Sequence, residues 1–179
     1  MRNLGDTELK RLHRQWRRRT DGRLALLLDS VQTPFNVGAI VRLAAAERVE
    51  HVYVAGATVS PDHPKAGKTS LGSERLVAWT AHEALEAAID AVKDAGYFLL
   101  GLELSDGAVP LHEVKLPADV CIAVGHEDRG LSPLTLRASN ALAYVPQLGK
   151  VGSLNVAHAA AIAVYEARRR EWAGEHGHP

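Results

Sequence analysis

Residues 144–167 read YVPQLGKVGSLNVAHAAAIAVYEA, and this stretch decides the fold. A short apolar strand end at 143–145 passes through a loop punctuated by Pro146, Gly149 and Gly152 into a long Ala-rich helix that is expected to begin near Ser153. Ser153 is placed to cap that helix, and the loop gathers unpaired backbone N–H and C=O groups where a strand ends. Open α/β sheets bind ligands at such an edge. Asn155 adds an amide to the first helical turn, next to the small residues Val156, Ala157, Ala159 and Ala160. It serves either as an extra cap or as a site residue.

Upstream, the same alternation recurs. Nearly continuous apolar runs at 23–29, 51–56, 97–104, 118–125 and 141–146 suit strands covered on both faces. Between them, a helix starts at Asn36 with Ile40, Leu43, Ala44 and Val49 inward, an amphipathic helix occupies 78–96, and a short one occupies 132–140. Residues 60–76 read as a polar loop with brief helical potential at 69–73. Strands alternating with helices predict an α/β fold with a mainly parallel sheet and flanking helices. The sequence contains no internal repeat.

The chain has 179 residues, 46% hydrophobic and 23% charged, which suits one globular domain with a small extension. No run is long and apolar enough to span a bilayer, and the first twenty residues lack the apolar core of a signal peptide, so a cytoplasmic protein is expected. The single Cys121 lies mid-strand and reads as a small buried hydrophobe. A net charge of zero hides a net +5 through Arg23 against −5 in the remainder. Residues 6–19 predict a helix with Asp6 as cap, docked by Leu9, Leu12 and Trp16. Its remaining surface carries Lys10, Arg11, Arg14, Arg17 and Arg18, either as a solvated face or as an arm that grips phosphates. The tail at 173–179 is expected to be disordered. His176 and His178 lack carboxylate or thiolate partners there, and no metal is expected.

Common nucleotide and hydrolase fingerprints are missing: there is no GxGxxG, GxxxxGK[ST] or GxSxG. Three strand ends instead carry polar clusters, with Asn36 and Arg42 in the first, Gly125, His126, Glu127, Arg129 and Gly130 in the second, and Gly152, Ser153 and Asn155 in the third. Each has a plain structural alternative as a cap, a surface ion pair or a turn. Taken together as NVGAIVR at 36–42, GHEDRGL at 125–131 and PQLGKVGSLNVA at 146–157, they resemble the three ordered motifs of the SpoU or TrmH branch of SPOUT RNA methyltransferases. The resemblance runs over about residues 24–172. KTSLGSERLV at 68–77 and LSDGAV at 104–109 look closer to the tRNA guanosine ribose methyltransferases than to the minimal wobble-position enzymes.

The resemblance implies an S-adenosylmethionine-dependent 2′-O-ribose methyltransferase of structured RNA, not of DNA and not at a membrane. Its best-matching target is a tRNA guanosine in the D-loop. An rRNA, another tRNA position or a catalytically silent RNA-binding relative are the alternatives. It further implies a homodimer and a deep trefoil knot in the C-terminal segment of a 23–172 domain, preceded by a basic extension at 1–22. Among the residues, it implies that Arg42 is the principal catalytic group, acting across the dimer interface, with Asn36, Glu127, Ser153 and Asn155 around it. Arginine is a poor base, so proton removal is assigned to an RNA phosphate or to Glu127. Leu102, Gly125, Val145, Pro146, Leu148, Ser153 and Leu154 are implied to hold the cofactor. Gly38, where Ser is common, and His126, where smaller residues are common, depart from the pattern and are expected near the substrate.

Overall fold

The computed structural model describes residues 2–175. Seven strands form one sheet: β1 (Leu24–Asp29), β2 (His51–Ala55), β3 (Ala78–His82), β4 (Phe98–Leu102), β5 (Val109–Pro110), β6 (Val120–Val124) and β7 (Ala141–Tyr144). They lie in the order β3-β2-β1-β6-β4-β7-β5, and every pair is parallel. The helices are α1 (Asp6–Arg17), α2 (Pro34–Ala46), α3 (Pro64–Ser70), α4 (Leu85–Asp94), α5 (Pro133–Ala138) and α6 (Val156–Ala173).

The apolar runs are continuous because both sheet faces are covered. On one face Leu24, Leu26 and Leu28 of β1 pack with Val52, Val54, Ile122 and Val124 beneath α2 and α6. On the other, Ala25 and Leu27 join Tyr53, Cys121 and Ala123 beneath α4. Cys121 is fully buried, and burial pushes its thiol up from its usual range. The inner face of α6 consists of small residues, Ala157, Ala160, Ala163, Val164 and Ala167, so this helix lies close to the sheet.

The far end of α6 is held by buried arginines. Arg168 donates to the carbonyls of Glu47 and Arg48 at the end of α2, both at 3.0 Å, and to that of Gly22 at 2.8 Å, supplying a cation where a helix exposes unpaired carbonyls. Beside it, Glu171 accepts the Gly22 N–H at 2.7 Å.

Several sequence expectations are corrected here. The strand β3 occupies the first part of the stretch expected to be helical from 78; it is an edge strand whose residues are largely exposed, so it lacks the apolar run of a covered strand. The short β5, at the opposite edge, falls in a segment expected to be loop. The helix α2 begins at Pro34, with Thr33 as its cap, and not at Asn36. Likewise α3 begins at Pro64, ahead of the expected helical turn. Gly5, and not Asp6, precedes α1, and Glu8 accepts the Gly5 N–H at 2.9 Å. The last turn of α1 meets the body where Trp16 packs at a tilt on Trp172 with centroids 4.8 Å apart, and Leu9, Leu12 and Trp16 all stay about two-fifths exposed. Gly174 closes α6 in a left-handed conformation, and Glu175 pairs with Arg169 at 2.8 Å. His176 and His178 lie outside the described residues.

Candidate active site

At the carboxyl edge of the sheet, the ends of β4, β6 and β7 open a cavity of about 520 Å³. It lies outside the carboxyl ends of the strands, on the β6–β4–β7 side of the sheet. Its walls include Leu102, Gly125, Val145, Ser153 and Leu154. Two residues expected there are elsewhere. Pro146 lines a separate apolar groove with Ile162 and Tyr165, and Leu148 is fully exposed in the loop beyond.

A chain of hydrogen bonds joins the three sequence clusters. Asn155 caps α6, accepting the N–H groups of Ala157 at 2.9 Å and His158 at 3.3 Å. Asn155 therefore takes the capping position expected of Ser153, which instead stands exposed in the cavity wall. The amide of Asn155 donates to Asn36 Oδ1 at 2.9 Å, and Asn36 Nδ2 donates to Glu127 Oε1 at 2.9 Å. Glu127 also accepts the backbone N–H groups of Thr33 at 2.9 Å and Gln32 at 3.1 Å. Partial burial works to raise its pKa, but the bonds from Asn36 and Thr33 outweigh burial and bring it down to about 2. So anchored, Glu127 is an acceptor that fixes the start of α2.

Arg42 stands exposed on α2, does not line the cavity, and makes no hydrogen bond or ion pair among the described residues. Gly38 is buried against α3, where a Cβ would overlap the Ala66 carbonyl and Thr69 Oγ1, so it faces a helix contact and not the substrate. His126 does line the cavity, its Nδ1 accepting the Asp128 N–H at 3.0 Å.

Three contributors were not singled out in the sequence, two outside the motifs and Gln147 at an unassigned position within the third. Glu103 lines the cavity and accepts the N–H groups of Leu131 at 2.9 Å and Leu104 at 3.0 Å, tying the loop after β4 to the one after β6. Its carboxylate lies against Gly130, whose φ of 68° and lack of Cβ let the two loops meet. Buried Asp29, at the end of β1, accepts from Thr135 Oγ1 at 2.7 Å and the Ser132 N–H at 3.0 Å, holding the same loop from below. Gln147 lines the cavity with a buried Oε1 that has no partner. Among the described residues no group of three His, Cys, Asp or Glu side chains is arranged for a metal ion.

Residues 23–165 match the model of the SpoU rRNA Methylase family. The chain belongs to that family. An uncharacterized tRNA/rRNA methyltransferase of Synechocystis is 33% identical over 84% of this chain and 55% of its own length. A tRNA (guanosine(18)-2′-O)-methyltransferase of Thermus thermophilus is 31% identical over 95% of this chain and 86% of its own. The crystal structure of an AdoMet-bound rRNA methyltransferase from Sinorhizobium meliloti superposes with a TM-score of 0.78 and 30% identity, over 84% of this chain and 57% of that one. This SpoU-family chain thus spans little more than half the length of two of these relatives and most of the third. Its fold is the mainly parallel α/β sheet that the sequence predicts.

Proposed function

We propose that the protein is an S-adenosylmethionine-dependent RNA 2′-O-ribose methyltransferase. The observation that carries this reading is the Asn155–Asn36–Glu127 chain, which binds all three family clusters into one structure beside the cavity. The cavity suits the cofactor: apolar walls at Leu102, Val145 and Leu154 accompany the unpartnered Gln147 Oε1, which seeks a donor, and the carboxylate of Glu103, which favours a cation. When bound, S-adenosylmethionine supplies an electrophilic methyl group. Leu102, Gly125, Val145 and Leu154 hold it, and Ser153 stands at the edge facing the target ribose. Arg42 pairs with the phosphate next to that ribose and orients the 2′-hydroxyl, whose proton leaves to a phosphate oxygen, Glu127 being already committed to N–H donors.

The site is completed by a second copy of the chain. This is supported by Arg42 lying off its own cavity and by exposed Ile162 and Tyr165 on α6, beside an apolar groove of about 430 Å³. The C-terminal segment is threaded as a knot, a reading supported by β7 entering between β4 and β5. The substrate is folded RNA in the cytoplasm, and the Thermus relative, matched over most of its length, favours a tRNA guanosine over an rRNA site. The basic face of α1, with Lys10, Arg11, Arg14, Arg17 and Arg18 all exposed, gives that RNA a phosphate-binding arm.

Cofactor linkage tests the reading. S-adenosylmethionine or S-adenosylhomocysteine at about a hundred times its Kd stabilises the fold by roughly 2.7 kcal/mol and raises Tm. A Tm that responds to NAD and to neither of these overturns it.

A further inference from the structure

Three aromatic side chains among the described residues are substantially exposed: Trp16, Phe35 and Tyr165. Trp16 and Tyr165 both lean on Trp172. Phe35, 47% exposed, has no aromatic neighbour, and it immediately precedes Asn36 in the first turn of α2. Arg42 follows seven residues later, about two helical turns or ~10 Å along the same face. The backbone under the ring is fixed, since Thr69 Oγ1 donates to the Phe35 carbonyl at 3.0 Å and α3 closes on α2 at Gly38.

The segment that closes on α2 beside Phe35 is apolar and cationic. Leu71 and Leu76, at the ends of α3 and of the 3-10 turn after it, are 66% and 77% exposed, and Lys65, Lys68 and Arg75 are exposed on the same segment. Of the acids on this segment, Glu74 accepts from Ser70 Oγ at 2.6 Å and lies 3.8 Å from Arg75, and Asp62 accepts from Ser60 Oγ, which leaves Lys65 and Lys68 without a carboxylate partner among the described residues. An exposed apolar ring beside a cationic segment suits a nucleobase with its phosphates better than it suits an apolar protein surface.

We propose that Phe35 is a stacking shelf for an RNA base adjacent to the target ribose, with Arg42 and Lys68 holding the flanking phosphates. The proposal rests on the methyltransferase reading and deepens it, because it assigns part of RNA recognition to the face of α2 that carries Arg42. Stacking contributes without charge, so its loss lowers affinity and leaves the salt dependence alone.

Binding of an unmodified tRNA transcript and of transcribed 23S rRNA to Phe35→Ala and Phe35→Tyr, over a salt series, tests the shelf. Phe35→Ala is expected to weaken binding of the preferred RNA about 5- to 150-fold with an unchanged salt slope, and Phe35→Tyr to restore most of it. S-adenosylhomocysteine affinity and particle mass stay as in the wild type. Wild-type RNA affinity in Phe35→Ala overturns the proposal, as does a fall in particle mass, which shows that the ring seats a second copy of the chain. Cofactor binding with no binding of either RNA by the wild type overturns the shelf and leaves the cofactor reading standing. RNA affinity lost in Phe35→Ala, by a protein that binds no cofactor, keeps the shelf and removes the methyltransferase reading.

Discussion

Glu127 shows how a single carboxylate is assigned by its neighbours. Its folded pKa of about 2 lies below the ordinary 4.5, so its contribution to stability is complete above about pH 4.5 and is lost as the pH falls through 2. Thermal melts at pH 5 and pH 3 should therefore show a larger drop in Tm for the wild type than for Glu127→Gln. Glutamine still accepts from Thr33 and Asn36 through Oε1, but sets an NH2 group against the Gln32 N–H. Glu127→Gln should thus lower turnover without moving the acidic limb of the pH–rate profile; a limb that disappears identifies Glu127 as the base after all.

Arg42→Ala is expected to lower turnover by at least about two orders of magnitude, the scale of a lost transition-state electrostatic contact. Cofactor affinity, measured by calorimetry, should stay unchanged because Arg42 does not line the cavity. Asn36, Asn155 and Glu127 could be singled out in the sequence because their clusters fall at strand ends. Their mutual bonds could not: Asn36 and Asn155 are 119 residues apart, and no periodicity encodes that meeting. Glu103 and Gln147 were illegible for a related reason, since each belongs to the site only through loops that the fold brings together.

Among the elements, strands buried on both faces were legible because alternating Leu, Val and Ala fill two cores at once. The edge strand β3 was not, because half-exposed AWTAH carries no apolar run and precedes an amphipathic helix that absorbs it into its own pattern. The contact of α2 with α3 turns on Gly38. Gly38→Ser places a Cβ against the Ala66 carbonyl, a backbone atom that yields little, and should cost about 1–3 kcal/mol by overpacking, read as a lower denaturant midpoint with unchanged m. For α1, replacing Arg14, Arg17 and Arg18 with Gln should weaken RNA binding across sequences. The slope of log K against log salt should flatten by up to about 0.7 for each lost contact to single-stranded RNA. An unchanged slope means that α1 only packs against Trp172.

At the scale of the molecule, alternation of strand and helix was enough to predict a parallel sheet, but strand order was not, because it depends on where each crossover returns. That order places all three clusters at one edge of the sheet. Arg42 does not line the cavity of its own chain, and the proposed site is therefore shared by two chains. Mixing Arg42→Ala with a variant disabled in the cavity should restore part of the lost activity through heterodimers, one of whose sites is intact. No recovery, with subunit exchange verified, places the whole site within one protomer.

The proposed reaction is methyl transfer to a ribose hydroxyl of folded RNA. Incubating the protein with labelled S-adenosylmethionine and unmodified tRNA and rRNA transcripts, followed by digestion to nucleosides and mass spectrometry, tests it directly. Label is expected in a 2′-O-methylated nucleoside, with guanosine from tRNA the product and none formed by Arg42→Ala. Label on a base, or no transfer to either RNA by protein that binds the cofactor, contradicts it.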